Sequence, residues 1–256
     1  MATIAQEPVR AASKDGFYFR LAAAMAITVV LGFGNQFLMG RSTFAARPLV
    51  HLHAVVFMGW VAIFVTQSWL ASQQRPDLHR RLGMLAMVWV AIMIGVSLSI
   101  VVDVTRRGTV PFFFQPQHFL VINPLTTLCF AALVAVAVRL RRHPDWHQRL
   151  QICAMTAIMG PAFGRLLPMP LLVPHAFETA VAAALIFPAV GAVRDWRSAG
   201  RVHPAWWWGM AGAMASMPLG WLIAHSPLGG ALYGWVTAGY PGASIPGLAF
   251  PPPPPM

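Results

Sequence analysis

An all-α bundle embedded in a membrane, with about seven spanning helices, is the fold the sequence predicts, and three observations predict it. The first is missing charge. Only 10% of the 256 residues are charged and 57% are hydrophobic, whereas soluble domains carry about 25% charged residues. The second is the length of the apolar runs. A helix needs about 20 apolar residues to cross a bilayer, and runs of that size fall near 18–39, 48–71, 82–102, 118–138, 149–168, 175–193 and 205–225. The third is the placement of the cations, which gather in the short connections between runs.

The runs differ in quality. The first is too long for a signal-peptide core and lacks a small-residue cleavage site, so it is expected to stay as an anchor. The fifth is interrupted by Pro161 and Arg165. Pro188 and Pro218 predict kinks in the sixth and seventh, which neighbouring helices can accommodate. Residues 1–225 therefore read as one transmembrane domain. The tail 226–256, rich in Gly and Pro and closing on five prolines before Met256, is expected to be disordered and to lie outside.

Orientation follows from the loops. Arg10, Lys14, Arg20, Arg75, Arg80, Arg81, Arg139, Arg141, Arg142, Arg149, Arg194, Arg197 and Arg201 share one side. Only Arg41, Arg47, Arg106, Arg107 and Arg165 take the other. Positive loops stay in the cytoplasm. That predicts a multi-pass protein of the inner (plasma) membrane, with a cytoplasmic N-terminus and the C-terminus outside. Trp206, Trp207 and Trp208 fit an interfacial aromatic belt.

The formal net charge of +11 reads as topology and contact with anionic lipid, not as a nucleic-acid surface, because no basic run alternates with stacking aromatics. A retinal Schiff base needs a lysine within a span, and the only lysine is Lys14. Cys129 and Cys153 lie in apolar runs at different depths, so they read as core thiols rather than a disulfide.

A repeat carries the functional reading. Pro76-Asp77-Leu78-His79-Arg80-Arg81-Leu82 opens the third run, and Pro144-Asp145-Trp146-His147-Gln148-Arg149-Leu150 opens the fifth. Extended to Met87 and Met155, seven of twelve positions are identical. Histidines also open the second run (His51, His53) and the fourth (His118). The core 48–103 and 118–168 therefore reads as two parallel hairpins about an axis along the membrane normal. An outer layer receives His51 or His53 and His118, and an inner layer receives His79 and His147. Histidines facing each other across such an axis suit the two axial positions of haem. The plainer reading makes Asp77 and Asp145 helix N-caps, the arginines topological anchors and the histidines interfacial side chains.

The stretch His51 to Gly83, with His53, Trp60, Gln67 and Leu78-His79-Arg80-Arg81-Leu82-Gly83, resembles a widespread family of bacterial multi-pass membrane proteins of unknown function. His147-Gln148-Arg149-Leu150 through Ala162 and Arg165 resembles that family's closing motif, so the resemblance covers roughly 48–168. More distantly, one histidine on each of four consecutive helices resembles the di-haem b-type cytochromes of the ascorbate-reducing kind. That resemblance implies two haem b groups, held by His51 or His53 with His118 and by His79 with His147. Electrons would then pass across the membrane, to or from a quinone or a redox protein. The arginine crowding at His79 and His147 makes the outer pair the firmer expectation.

Other groups complete the reading. Glu178 follows His175 by three residues, so both share a helix face and could bind a metal. An acid within a span needs a partner, and Arg165 is the expected one. The alternatives to haem are a small-ligand transporter or assembly factor with structural histidines, and a metal- or quinone-dependent membrane enzyme at the outer His/Glu cluster.

Overall fold

The computed structural model describes residues 16–252, and every regular element among them is helical. The first four helices are long: α1 (Phe17–Leu38), α2 (Pro48–Ser72), α3 (Pro76–Arg107) and α4 (Pro116–Arg139). Then the helices shorten: α5 (Pro144–Ala157), α6 (Gly160–Leu166), α7 (Ala176–Ala184), α8 (Ile186–Ala199), α9 (Pro204–Met214), α10 (Ser216–Ala224) and α11 (Pro227–Thr237). Proline at the first helical position opens α2, α3, α4, α5, α9 and α11, where its fixed φ suits the helix and its missing N–H has no partner to lose. Asp77 and Asp145 sit inside the first turn rather than at the cap; Arg75 and His143 are the N-caps. The aspartates there favour the helix by opposing its dipole.

Five helices are long and apolar enough to cross a membrane: α1, α2, α3, α4 and the stretch Ala176–Ala199, made of α7 and α8. The other two expected runs are broken helices. Pro161 cannot donate to the carbonyl four residues back, and α5 ends just before it. Pro218 acts likewise between α9 and α10, and Pro188 between α7 and α8, each leaving a single-residue break at Ala215 or Leu185. Both broken pieces nevertheless run the length of the bundle. Arg149, early in α5, meets Asp195 of α8, while Arg165 at the end of α6 meets Asn35 at the far end of α1. Trp206, early in α9, bonds Asp195, while Ala224 at the end of α10 bonds Gln117 at the start of α4.

The core is apolar and aromatic. Trp60 and Phe130 meet edge to face at 5.0 Å in the middle, and Met25, Met93, Cys153 and Met159 are fully enclosed. Ser97 of α3 and Thr127 of α4 share a buried hydrogen bond of 2.8 Å. The outside is just as apolar: Val30, Val55, Met84, Val88, Trp208 and Leu222 are all exposed. A continuous apolar exterior of this kind is stable against lipid and not against water. This is a membrane protein.

Two polar clusters fasten the ends. At the arginine-rich end, Arg149 grips Asp195 with two hydrogen bonds of 2.8 and 2.7 Å, and the Trp206 indole donates to the same carboxylate at 2.8 Å. Trp206 is therefore a core residue with no exposed surface, not part of an interfacial belt; Trp207 and Trp208 alone face outward. Gly191 makes room for it, since a Cβ there would stand 2.1 Å from the indole. At the opposite end, Asp103 pairs with Arg47 and with Arg107, tying the start of α2 to the end of α3.

The tail departs from the sequence expectation. Residues 227–252 are folded: α11 and a 3-10 turn at Pro241–Ser244 cap the ends of α3 and α4. The reason is an apolar stripe that the Gly and Pro content hides. Tyr233 and Val236 are buried with Val101 and Leu120, and the Tyr233 hydroxyl reaches the carbonyls of Gly242 and Ile245 at 3.0 Å each. Gln117 N–H donates to Gly247 at 2.8 Å. Tyr233→Phe is expected to cost about 0.5–1.5 kcal/mol, the worth of such a hydrogen bond. Limited proteolysis in detergent should then cut within 240–248 faster than in the parent, while the rest of the bundle stays intact.

Candidate functional site

The inner histidines come together. His79 stands one turn into α3 and His147 one turn into α5, at the arginine-rich end. Their rings meet edge to face, with centroids 6.2 Å apart and planes crossed at 81°. Each ring is fixed in the same way by the helix before it. His79 Nδ1 lies 3.2 Å from the Gln67 carbonyl of α2, and His147 Nδ1 lies 2.7 Å from the Ala137 carbonyl of α4. A carbonyl only accepts, so Nδ1 carries the proton and Nε2 of the neutral ring presents a lone pair. Metal-binding histidines are held in this manner, with the far nitrogen on a backbone carbonyl. Neither Nε2 has a hydrogen-bond partner among the described residues. Gln67 adds a buried Oε1 that lacks a partner, with its amide packed against Gly83, one turn above His79.

The outer histidines do not assemble as the repeat predicts. His51 Nε2 lies 3.1 Å from the Phe44 carbonyl and anchors the loop before α2. His53 stacks on Phe57 at 4.3 Å and keeps a buried Nδ1 without a partner. His118 meets Phe177 at 6.1 Å and His225 at 6.2 Å instead. The cause lies in the sixth and seventh apolar runs, which the repeat leaves out: α7 brings Phe177 and the end of α10 brings His225 across the start of α4. His225 was missed because it stands at the very end of the seventh run, outside the repeated unit. Its position opposite the start of the fourth run is the signal that could have found it.

Arg165 and Glu178 do not pair either. The Arg165 guanidinium donates to the Pro161 carbonyl at 2.8 Å and lies over the Phe33 ring at 4.1 Å. Glu178 instead lines an outer pocket of about 170 Å³ with His118, His175, His225 and Phe177. The break between α5 and α6 turns the end of α6 toward α1, which takes Arg165 away from α7. His175 and Glu178 thus share a site, but no three His, Cys, Asp or Glu side chains among the described residues gather closely enough to hold a metal ion.

Two ends therefore carry chemistry. One holds two prepared imidazoles; the other holds a small pocket of aromatic, imidazole and carboxylate groups. Comparison of the chain with family models, curated proteins and solved structures found no match.

Proposed function

We propose that the chain is a haem-binding membrane protein that carries electrons, with one haem b held between His79 and His147. The close approach of these two rings carries the reading. Iron bound by two imidazoles at about 2 Å each, with each ring centre about 1 Å behind its nitrogen, sets the centres about 6 Å apart, and the observed separation is 6.2 Å. Both Nε2 lone pairs are free to bind. A bare ion would have two protein ligands and no third, whereas a porphyrin supplies four nitrogens of its own, so haem suits this pair better than Zn or Cu. Haem in such a site supplies one-electron transfer. The chain's own part is to fix the rings through Gln67 and Ala137 and to offer arginines, Arg141 among them, to the propionates.

Seven spans with the arginine-rich end in the cytoplasm belong to the same reading. Arg149, Arg165, Trp206 and Ala224 support α5–α6 and α9–α10 as two broken crossings, and the matched bonds of His79 and His147 support the parallel hairpin repeat. The membrane is then the inner (plasma) membrane, and the redox partner, a quinone or a redox protein, meets the haem end. Reporter fusions should place 72–81, 139–148 and 194–203 in the cytoplasm and the tail outside. A cytoplasmic tail would contradict seven crossings.

The reading is tested by the paramagnetic resonance of the oxidised protein. Rings crossed at 81° should give the highly anisotropic low-spin signal of perpendicular imidazole planes. A high-spin signal would mean that one histidine does not bind.

A further inference from the structure

The outer pocket has no place in the haem reading. Along α4 it lies roughly 28 Å from the His147 anchor, taking about 1.5 Å per residue between His118 and Ala137. Its volume of about 170 Å³ admits one ring and excludes larger cofactors, since drug-sized sites run from about 300 Å³ upward. Its walls are aromatic: Phe114, Phe177 and Trp221. Its polar atoms are mostly acceptors. His225 Nδ1 lies 2.9 Å from the Trp221 carbonyl, so it donates there and leaves Nε2 as a lone pair. Glu178 brings a carboxylate, and His118 Nε2 is buried with no partner. Trp221 and Leu222 face outward on the apolar surface beside it, which gives a lipid-borne ring a way in.

We propose that this pocket binds a single hydroxylated aromatic ring, a quinol or a phenol, and prefers the hydroxyl-bearing form over the corresponding quinone. The hydroxyls donate to Glu178 and to His225 Nε2, and the aromatic side chains enclose the ring. A quinone brings only acceptors and leaves Glu178 without a donor. Binding alone is inferred, and it stands whether or not haem occupies the other end.

The test uses the full chain in nanodiscs. A tail-less dimethoxy-methyl-benzoquinol and its quinone are titrated, reading Trp fluorescence and equilibrium dialysis. The quinol should bind saturably and about tenfold or more tighter than the quinone, the factor that a hydrogen bond to a charged group commands. Glu178→Gln should erase most of that preference, and His147→Ala should leave it unchanged, which separates this site from the haem site. A decyl-tailed quinol distinguishes the sources: tighter binding than the tail-less form identifies a lipid-borne ligand, and equal binding a free phenol. Equal affinity for quinol and quinone in the wild-type chain, no saturable binding, or displacement of the quinol by tetramethylammonium would overturn the proposal.

Discussion

Asp195→Asn is expected to be among the most damaging single substitutions in the chain. The carboxylate is 6% exposed and its partner Arg149 is 12% exposed. Removing one member of a buried pair leaves the other charge uncompensated, at a cost of about 3–5 kcal/mol. A further donor is affected at once, because the Trp206 indole bonds the same oxygen as Arg149 Nε. Thermal unfolding in detergent should show the loss directly. Arg149→Leu combined with Asp195→Leu should recover part of it, since no buried charge remains. If the double substitution is as damaging as the sum of the singles, the pair is not what holds α5, α8 and α9 together.

The second large effect concerns the haem. His79→Ala and His147→Ala should each remove bound haem to a similar extent, because in the proposed site both imidazoles would hold the same iron. Loss of a supporting group around a metal ligand already costs roughly 10–100-fold in affinity, and loss of the ligand itself should exceed that. His118→Ala, His53→Ala and His51→Ala should leave the haem in place, since His118 turns to His225 and the other two are engaged by Phe44 and Phe57. Haem retained in His147→Ala and lost in His118→Ala would reverse the assignment.

The pattern of effects follows what the sequence could and could not express. Apolar runs and proline-led helix starts fixed α1 to α4 closely, because helix length and proline at N1 are local properties. The inner pair was legible for the same reason: His79 and His147 sit at equal places in a repeated unit, each one turn from its proline. The arginines around them do not keep the two rings apart, because their Nδ1 atoms reach back to carbonyls of the preceding helices, Gln67 and Ala137. The outer layer was misread because its partners come from outside the repeat. His225 and Phe177 belong to segments broken by Pro218 and Pro188, and only their packing brings them to His118. Nothing in the sequence pattern singled out Asp195, although it is the acid paired with a buried arginine; that arginine is Arg149 rather than Arg165. The tail was misjudged because its Gly and Pro content masks two buried anchors, Tyr233 and Val236.

The central claim is that one haem sits between His79 and His147, and pigment content tests it most directly. The full chain, expressed with ample haem and purified in detergent, should carry one haem b per polypeptide, with a Soret band and a sharp α band on reduction. A colourless protein under those conditions, or a content of two haems per chain, would contradict it.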